Sequence, residues 1–178
     1  MTPIETERLR LVPATDAHVE AEIGDLARFF EFLGVEPTSE WPSDDLAEVL
    51  PLFLEQLVDD ETNVGWVSWY FVDRASSPSR LVGGGGFKGQ PDDEGTVEIG
   101  YETVPSRRRL GIATEAVGAL VTWAFEDDRV RRVIAETRRD NEASIGVLRR
   151  LGFREIGEGP EPEMVRFERA SAPSANVP

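Results

Sequence analysis

The chain has 178 residues, enough for one domain with a real core, and 40% apolar with 30% charged residues describes a folded chain, not a disordered one. A net charge of −15 argues against nucleic acid as a main partner, because phosphate neutralisation needs a basic surface. No apolar run approaches a membrane span, the first residues lack a signal-peptide pattern, and the lack of cysteine excludes a disulfide framework and a thiolate zinc site. The expected location is the cytoplasm. A metal centre would need carboxylates alone, and none is expected.

In chain order, Arg8-Leu-Arg-Leu-Val12 alternates and reads as a strand. Thr15 or Asp16 caps a helix running towards Phe30, with Ile23, Leu26, Ala27 and Phe30 inward, and His18 is a surface or capping residue of that helix. Ser43 starts a second helical pattern through Leu46, Val49, Leu50, Phe53 and Leu57, and Pro51 inside it predicts a kink or two short helices. Trp66 to Val72 and Arg80 to Phe87 form a hairpin. The run Gly83 to Gly86 predicts a bulge or a close backbone approach in its second strand. Gly84-x-Gly86-x-x-Gly89 matches the dinucleotide fingerprint only in its letters, because Gln90-Pro91-Asp92-Asp93 follows where a helix is required.

Gly95 to Tyr101 is the next strand. It feeds an arginine-rich turn, Ser106-Arg107-Arg108-Arg109, which opens into a helix at Gly111 with Ala113, Val117, Leu120, Val121 and Ala124 on one face. The first turn of a helix leaves N–H groups without partners at the positive end of the peptide dipoles, a common seat for a pyrophosphate. Gly111 lets a ligand approach the backbone, and Ala113 keeps a larger side chain away. Val130 to Thr137 reads as a strand, Asn141 begins a helix with Ile145, Leu148 and Leu151 inward, and Gly152 closes it. Met164 to Glu168 is a last strand. Residues 1–170 form one domain, and 171–178, small and polar, are expected to fray.

Arg108-x-x-Gly111-x-Ala113 resembles the acyl-CoA pyrophosphate motif of the GNAT superfamily of N-acetyltransferases. Val97-Glu98-Ile99-Gly100-Tyr101 resembles that family's fourth strand. Asn141-x-x-Ser144-Ile145 through Leu151-Gly152-Phe153 resembles its closing segment. The likeness spans roughly Thr6 to Arg169 and is nearest to the ribosomal-protein N-terminal acetyltransferase-like branch. It implies an α/β fold with a mixed, largely antiparallel central sheet flanked by helices and splayed between the family's fourth and fifth strands. It also implies acetyl-CoA lying in the splay, with no metal, and direct transfer of acetyl to a primary amine in a ternary complex. Carried over by position, Val104, Arg108, Arg109, Gly111, Ile112, Ala113, Thr114 and Asn141 hold the cofactor, although Asn141 as a helix cap needs none. Arg109 stands where many relatives have glycine.

Glu98 is the expected general base, against the alternative of a strand carboxylate facing solvent. Many relatives carry a tyrosine four residues after the serine of the closing segment, to protonate the leaving thiolate. This chain has Leu148 there, which leaves the role to Ser144, to water, or to no dedicated acid. A non-catalytic acyl-CoA-binding or regulatory module of the same fold is the alternative to an enzyme, and a homodimer is compatible with either. The charge is uneven: Ser106 to Arg154 holds 11 arginines against 7 acids, and the rest 8 basic against 27 acidic residues. An acidic body attracts cations. The acceptor is therefore expected to be cationic, a small molecule or a protein N-terminus, against the alternative that the acidity serves solubility alone.

Overall fold

Alternation along Leu9–Pro13 buries Leu9 and Leu11 on one side of a strand, and the same period decides the architecture of the chain. The computed structural model describes residues 1–171. Its strands are β1 (Ile4–Glu5), β2 (Leu9–Pro13), β3 (Trp69–Asp73), β4 (Arg80–Phe87), β5 (Thr96–Thr103), β6 (Arg132–Arg138), β7 (Arg154–Glu158) and β8 (Met164–Ala170). Its helices are α1 (Asp16–Gly24), α2 (Leu26–Leu33), α3 (Asp44–Asp59), α4 (Ile112–Ala124) and α5 (Glu142–Arg150). The strands form one mixed sheet in the order β1-β2-β3-β4-β5-β6-β8-β7, antiparallel throughout except for β5 and β6, which run parallel.

The two sides of each central strand enter two different cores. Trp69, Phe71, Val82, Val97 and Ile99 pack with Ala116, Val117, Leu120 and Val121 of α4 and with Leu148 of α5. Tyr70, Val72, Leu81 and Val104 pack with Val19, Phe29, Phe30, Leu50 and Leu57 of α1–α3. The glycines of β4 admit close neighbours, two of them backbone carbonyls and one a ring of the second layer. A Cβ on Gly83 would stand 2.4 Å from Glu102 O, and one on Gly86 2.2 Å from Val67 O. At Gly84 the Trp41 ring occupies the space of a side chain, 2.6 Å from a Cβ position. The register slips opposite Phe71 and Val72, so both the close approach and the bulge are present.

Four expectations are corrected. The helix expected from Thr15 to Phe30 is two helices, because Asp25 leaves helical geometry (φ −154°, ψ 84°) and accepts from Arg28 N to cap α2. The break resets the phase, so Ile23, Leu26 and Ala27 are exposed while Val19, Ala21 and Glu22 turn inward. Pro51 sits inside α3 without dividing it, and the buried Leu50 and Leu57 anchor that helix on the sheet. The strand expected at Trp66 begins at Trp69, and β1 and β7 were not foreseen; every residue of β7 is exposed, which removes the alternation signal. His18 does cap, closing a reciprocal box with Thr15. The tail expected to fray lies, apart from Ser171, outside the described residues. Among the described residues no helix is long and apolar enough to cross a membrane.

One buried acid ties the helical layer to the sheet. Glu22 is 3% exposed, and its carboxylate accepts from Trp41 Nε1 at 2.7 Å and from the Tyr70 hydroxyl at 2.6 Å. Burial pushes its pKa up to about 7; the two hydrogen bonds oppose that rise, and the nearby Glu102 charge adds to it. Because the folded pKa is raised, the unfolded chain loses this proton first as pH rises. Stability from Glu22 is therefore full below about pH 4.5 and falls until about pH 7, by up to roughly 3 kcal/mol. Thermal melts of the wild type and Glu22→Gln at both ends of that window should show the Tm difference moving in favour of the variant as pH rises. A pH-independent difference would show that the carboxyl does not titrate in the fold.

Candidate active site

Beyond Glu98 the sheet parts. β5 is paired with β4 along Ile99 to Thr103, but with β6 only at Thr96–Arg132, Val97–Val133 and Glu98–Ile134. The far half of β6 is paired on its other edge with β8. The facing edges of residues 99–103 and 135–138 thus keep backbone groups free for an extended partner. This is the splay expected between the family's fourth and fifth strands, which are β5 and β6 here.

The chain leaves β5 at the mouth of the parting and returns as α4. Val104 is buried in the core beneath α1–α3, its N–H bonded to Val82 O and its carbonyl to Arg107 N, so its polar groups are engaged. A 3-10 turn at Pro105–Arg107 leads to Arg108 and Arg109, both exposed. Arg109 has φ 62°, the one non-glycine residue with positive φ among those described, and Gly111 follows with φ 79°. The first helical bond runs from Glu115 N to Gly111 O, which leaves the N–H groups of Ile112, Ala113 and Thr114 without intrahelical acceptors. The other four α-helices start with a side-chain cap, from Thr15, Asp25, Ser43 and Asn141, and α4 has none. An anion that accepts several hydrogen bonds fits that end.

Residues far away in sequence brace the loop. Glu115 accepts from the Thr6 hydroxyl at 2.6 Å, Arg8 N at 2.8 Å and Arg8 Nε at 2.7 Å. Burial alone would raise Glu115, but these donors outweigh it and hold its carboxyl below the usual range. The same guanidinium donates to Leu110 O at 2.9 Å and lies 3.3 Å from a Cβ position on Gly111. Arg8 thus adds a cation beside the glycine, a contact that 102 intervening positions hide from local patterns.

Glu98 and Glu102 share a face, since no register shift interrupts β5. Glu98, about one-fifth exposed, is ion-paired with Lys88 of the hairpin. Glu102 accepts from the Ser43 hydroxyl at 2.6 Å, and its other oxygen is buried without a partner in the protein. On the opposite face the Tyr101 hydroxyl meets Ser144 Oγ at 2.9 Å. Asn141 Oδ1 accepts from Ser144 N at 3.1 Å, so this side chain does cap α5. Lys88 and Tyr101 carried no signal of their own in the sequence.

A parted parallel pair, with an uncapped glycine-led helix at its mouth, defines an acetyl-CoA-dependent acetyltransferase fold. The family model described as acetyltransferase (GNAT) domain matches residues 8–154, and the chain belongs to that family. It is 38% identical over 157 residues to the uncharacterized N-acetyltransferase YjdG of Bacillus subtilis, covering 86% of this chain and 90% of that protein. Among solved structures, RimL, the ribosomal L7/L12 alpha-N-protein acetyltransferase in complex with coenzyme A, superposes with a TM-score of 0.66 at 19% identity, over 94% of this chain and 97% of that one. The ribosomal-protein-S5-alanine acetyltransferase of Vibrio fischeri gives 0.65 at 16%, over 96% and 97%.

The left-handed conformation of Arg109 costs a side-chain-bearing residue about 1–2 kcal/mol. Arg109→Gly should keep or raise the melting temperature, whereas Arg109→Val should lower it, because a branched Cβ fits that region worst. Equal melting temperatures for the two variants would contradict the strained turn.

Proposed function

We propose that the chain is an N-acetyltransferase that moves acetyl from acetyl-CoA to a primary amine by direct transfer in a ternary complex. The observation that carries this reading is the parting of β5 and β6 immediately past Glu98, beside a helix whose first N–H groups are unclaimed. The N–H groups of Ile112, Ala113 and Thr114 bind the pyrophosphate, with Arg108 and Arg109 adding charge, and Gly111 admits it to the backbone. Anion–helix terms are individually about 0.3–1 kcal/mol, so the donors act together. Asn141, with its carbonyl oxygen capping α5, offers the cofactor its amide nitrogen.

Glu98 takes the proton that keeps the acceptor amine from attacking. A lysine-like amine with a pKa of ~10.4 is neutral in about one molecule per few thousand at pH 7, and an α-amine near 7.7–8.0 in ~10–20%. The Lys88 ammonium occupies the same carboxylate in this structure, so an incoming acceptor ammonium displaces it. The pair is exposed on the lysine side, and such pairs are worth only about 0–1 kcal/mol. Holding two substrates in register supplies most of the rate. Ser144 serves the leaving thiolate.

The acceptor is cationic in this reading, because Glu98 and the partly unpaired Glu102 line the face opposite α4. A basic protein N-terminus, as for the ribosomal-protein acetyltransferases of the same fold, is the acceptor class we favour. The fully buried Leu148 is the observation that favours the second reading, a non-catalytic acyl-CoA-binding module, since α5 carries no acid at that position.

Two measurements test the reading. Gly111→Glu places bulk and like charge at the helix start, so acetyl-CoA binding by calorimetry should vanish while the circular dichroism spectrum is kept; unchanged affinity would make the motif match accidental. Glu98→Gln keeps shape and loses basicity, and general-base losses run to about 10²–10⁴-fold in kcat. Activity within a factor of two of wild type across pH 6–9 would make Glu98 structural.

A further inference from the structure

The side chain of Tyr101 leaves β5 on the face of Val97 and Ile99 and ends against the first turn of α5. Its hydroxyl lies 2.9 Å from Ser144 Oγ and 3.3 Å from Ser144 O. Ser144 is itself anchored, because its N–H is held by Asn141 Oδ1. Tyr101 stands three residues past the last β5–β6 pair, so the two hydroxyls belong to the opened part of the sheet. Strand alternation puts Glu98 on the opposite face. A carboxylate able to take a proton and a hydroxyl pair able to supply one therefore flank the same parting from its two sides.

We propose that Tyr101 and Ser144 form a hydroxyl relay that protonates the leaving thiolate. The inference rests on the acetyl-transfer reading and adds a residue to it. Tyr101 donates to Ser144 Oγ, which leaves the serine hydrogen free to point into the parting. As the carbon–sulfur bond breaks, its electron pair stays on sulfur. Ser144 gives its proton to that sulfur and takes the proton of Tyr101, which is left as a phenolate. The acceptor ammonium loses two protons over the reaction, one of them to Glu98. The thiolate gains one from the relay, the phenolate regains one through solvent, and one proton is released per turnover.

The pair solves a mismatch that serine alone cannot. An alcohol is about as weak an acid as water, whereas a thiol is near 8.5, so a lone serine would be left as an alkoxide far more basic than the thiolate it protonates. Passing the deficit to a phenol, a far stronger acid than an alcohol, narrows that gap greatly even though burial keeps Tyr101 a weaker acid than free phenol. Burial raises the Tyr101 pKa, and the bond to Ser144 partly offsets this, so the phenol keeps its proton at neutral pH. Tyr101 is thus a positioning and proton-supplying residue that acts through Ser144.

The test uses free coenzyme A with the wild type, Tyr101→Phe, Ser144→Ala and the double variant. Calorimetry gives the affinity, and the ultraviolet absorbance of the thiolate gives the pKa of the bound thiol. A relay that donates to the thiolate should hold the bound thiol's pKa below that of free coenzyme A. Each variant should raise it by about one unit, with affinity for the thiol form kept within two-fold. With acetyl-CoA and an amine acceptor, each single variant should lower kcat about 10²-fold at unchanged KM for acetyl-CoA. The double variant should be no slower than the slower single one, as for residues acting as a unit. Coenzyme A that fails to bind the wild type overturns the proposed function, and the relay with it. Coenzyme A that binds with the same thiol pKa in wild type and Tyr101→Phe overturns the relay alone, as do losses that multiply in the double variant.

Discussion

The parallel contact between β5 and β6 is the constraint on which the rest of the molecule depends. Two parallel neighbours need a crossover, and α4 supplies it, laying Ala116, Val117, Leu120 and Val121 against the sheet. The strands meet only over three residue pairs at their starting ends. Their carboxyl ends separate, and chain connectivity then delivers the chemistry: the arginine loop follows β5, and α5 follows β6. Open α/β sheets bind ligands at the carboxyl ends of strands for the same reason. Here the crevice lies within a single parallel pair.

The period of two along β5 then sorts the site into halves. Val97, Ile99 and Tyr101 face the layer of α4 and α5, where the helix start and the Ser144 hydroxyl lie. Glu98 and Glu102 face the layer of α1–α3, where Glu22 is already buried among Trp41 and Tyr70. The unclaimed N–H groups of α4 thus lie on one side of the sheet, and Glu98 and Glu102 on the other. A buried carboxylate oxygen without a partner, such as Glu102 Oε1, is costly to keep. Under the proposed function, its position on the acid-rich face suits it to recognising a positively charged acceptor.

What could be read from the sequence was what neighbours in the chain decide. The opening of α4 at Gly111, the cap at Asn141 and the left-handed close at Gly152 are all set within a few residues, and all are found where the sequence places them. The break at Asp25 was hidden because a residue that caps a new helix looks locally like one that continues the old. The contacts of Lys88 with Glu98, Tyr101 with Ser144 and Arg8 with Glu115 were hidden for another reason. Each joins residues that only the assembled sheet brings together, and no spacing rule connects positions 43 or 107 apart.

The Thr6–Arg8–Glu115 contact has a consequence for how the site comes into being. The arginine that props Leu110 and stands over Gly111 belongs to the segment that enters β2, at the far end of the sheet order from β6, β8 and β7. The cofactor loop can take its final form only after that early segment has docked along β3 and reached across to α4. During synthesis Thr6 and Arg8 must therefore wait for more than a hundred further residues before their contact with Glu115 exists. Until then the α4 start lacks its brace, and under the proposed function a chain folded everywhere except at Thr6–Arg8 would grip acetyl-CoA poorly. The Thr6–Arg8 stretch, remote in sequence from every motif of the site, is in this sense a latch upon it.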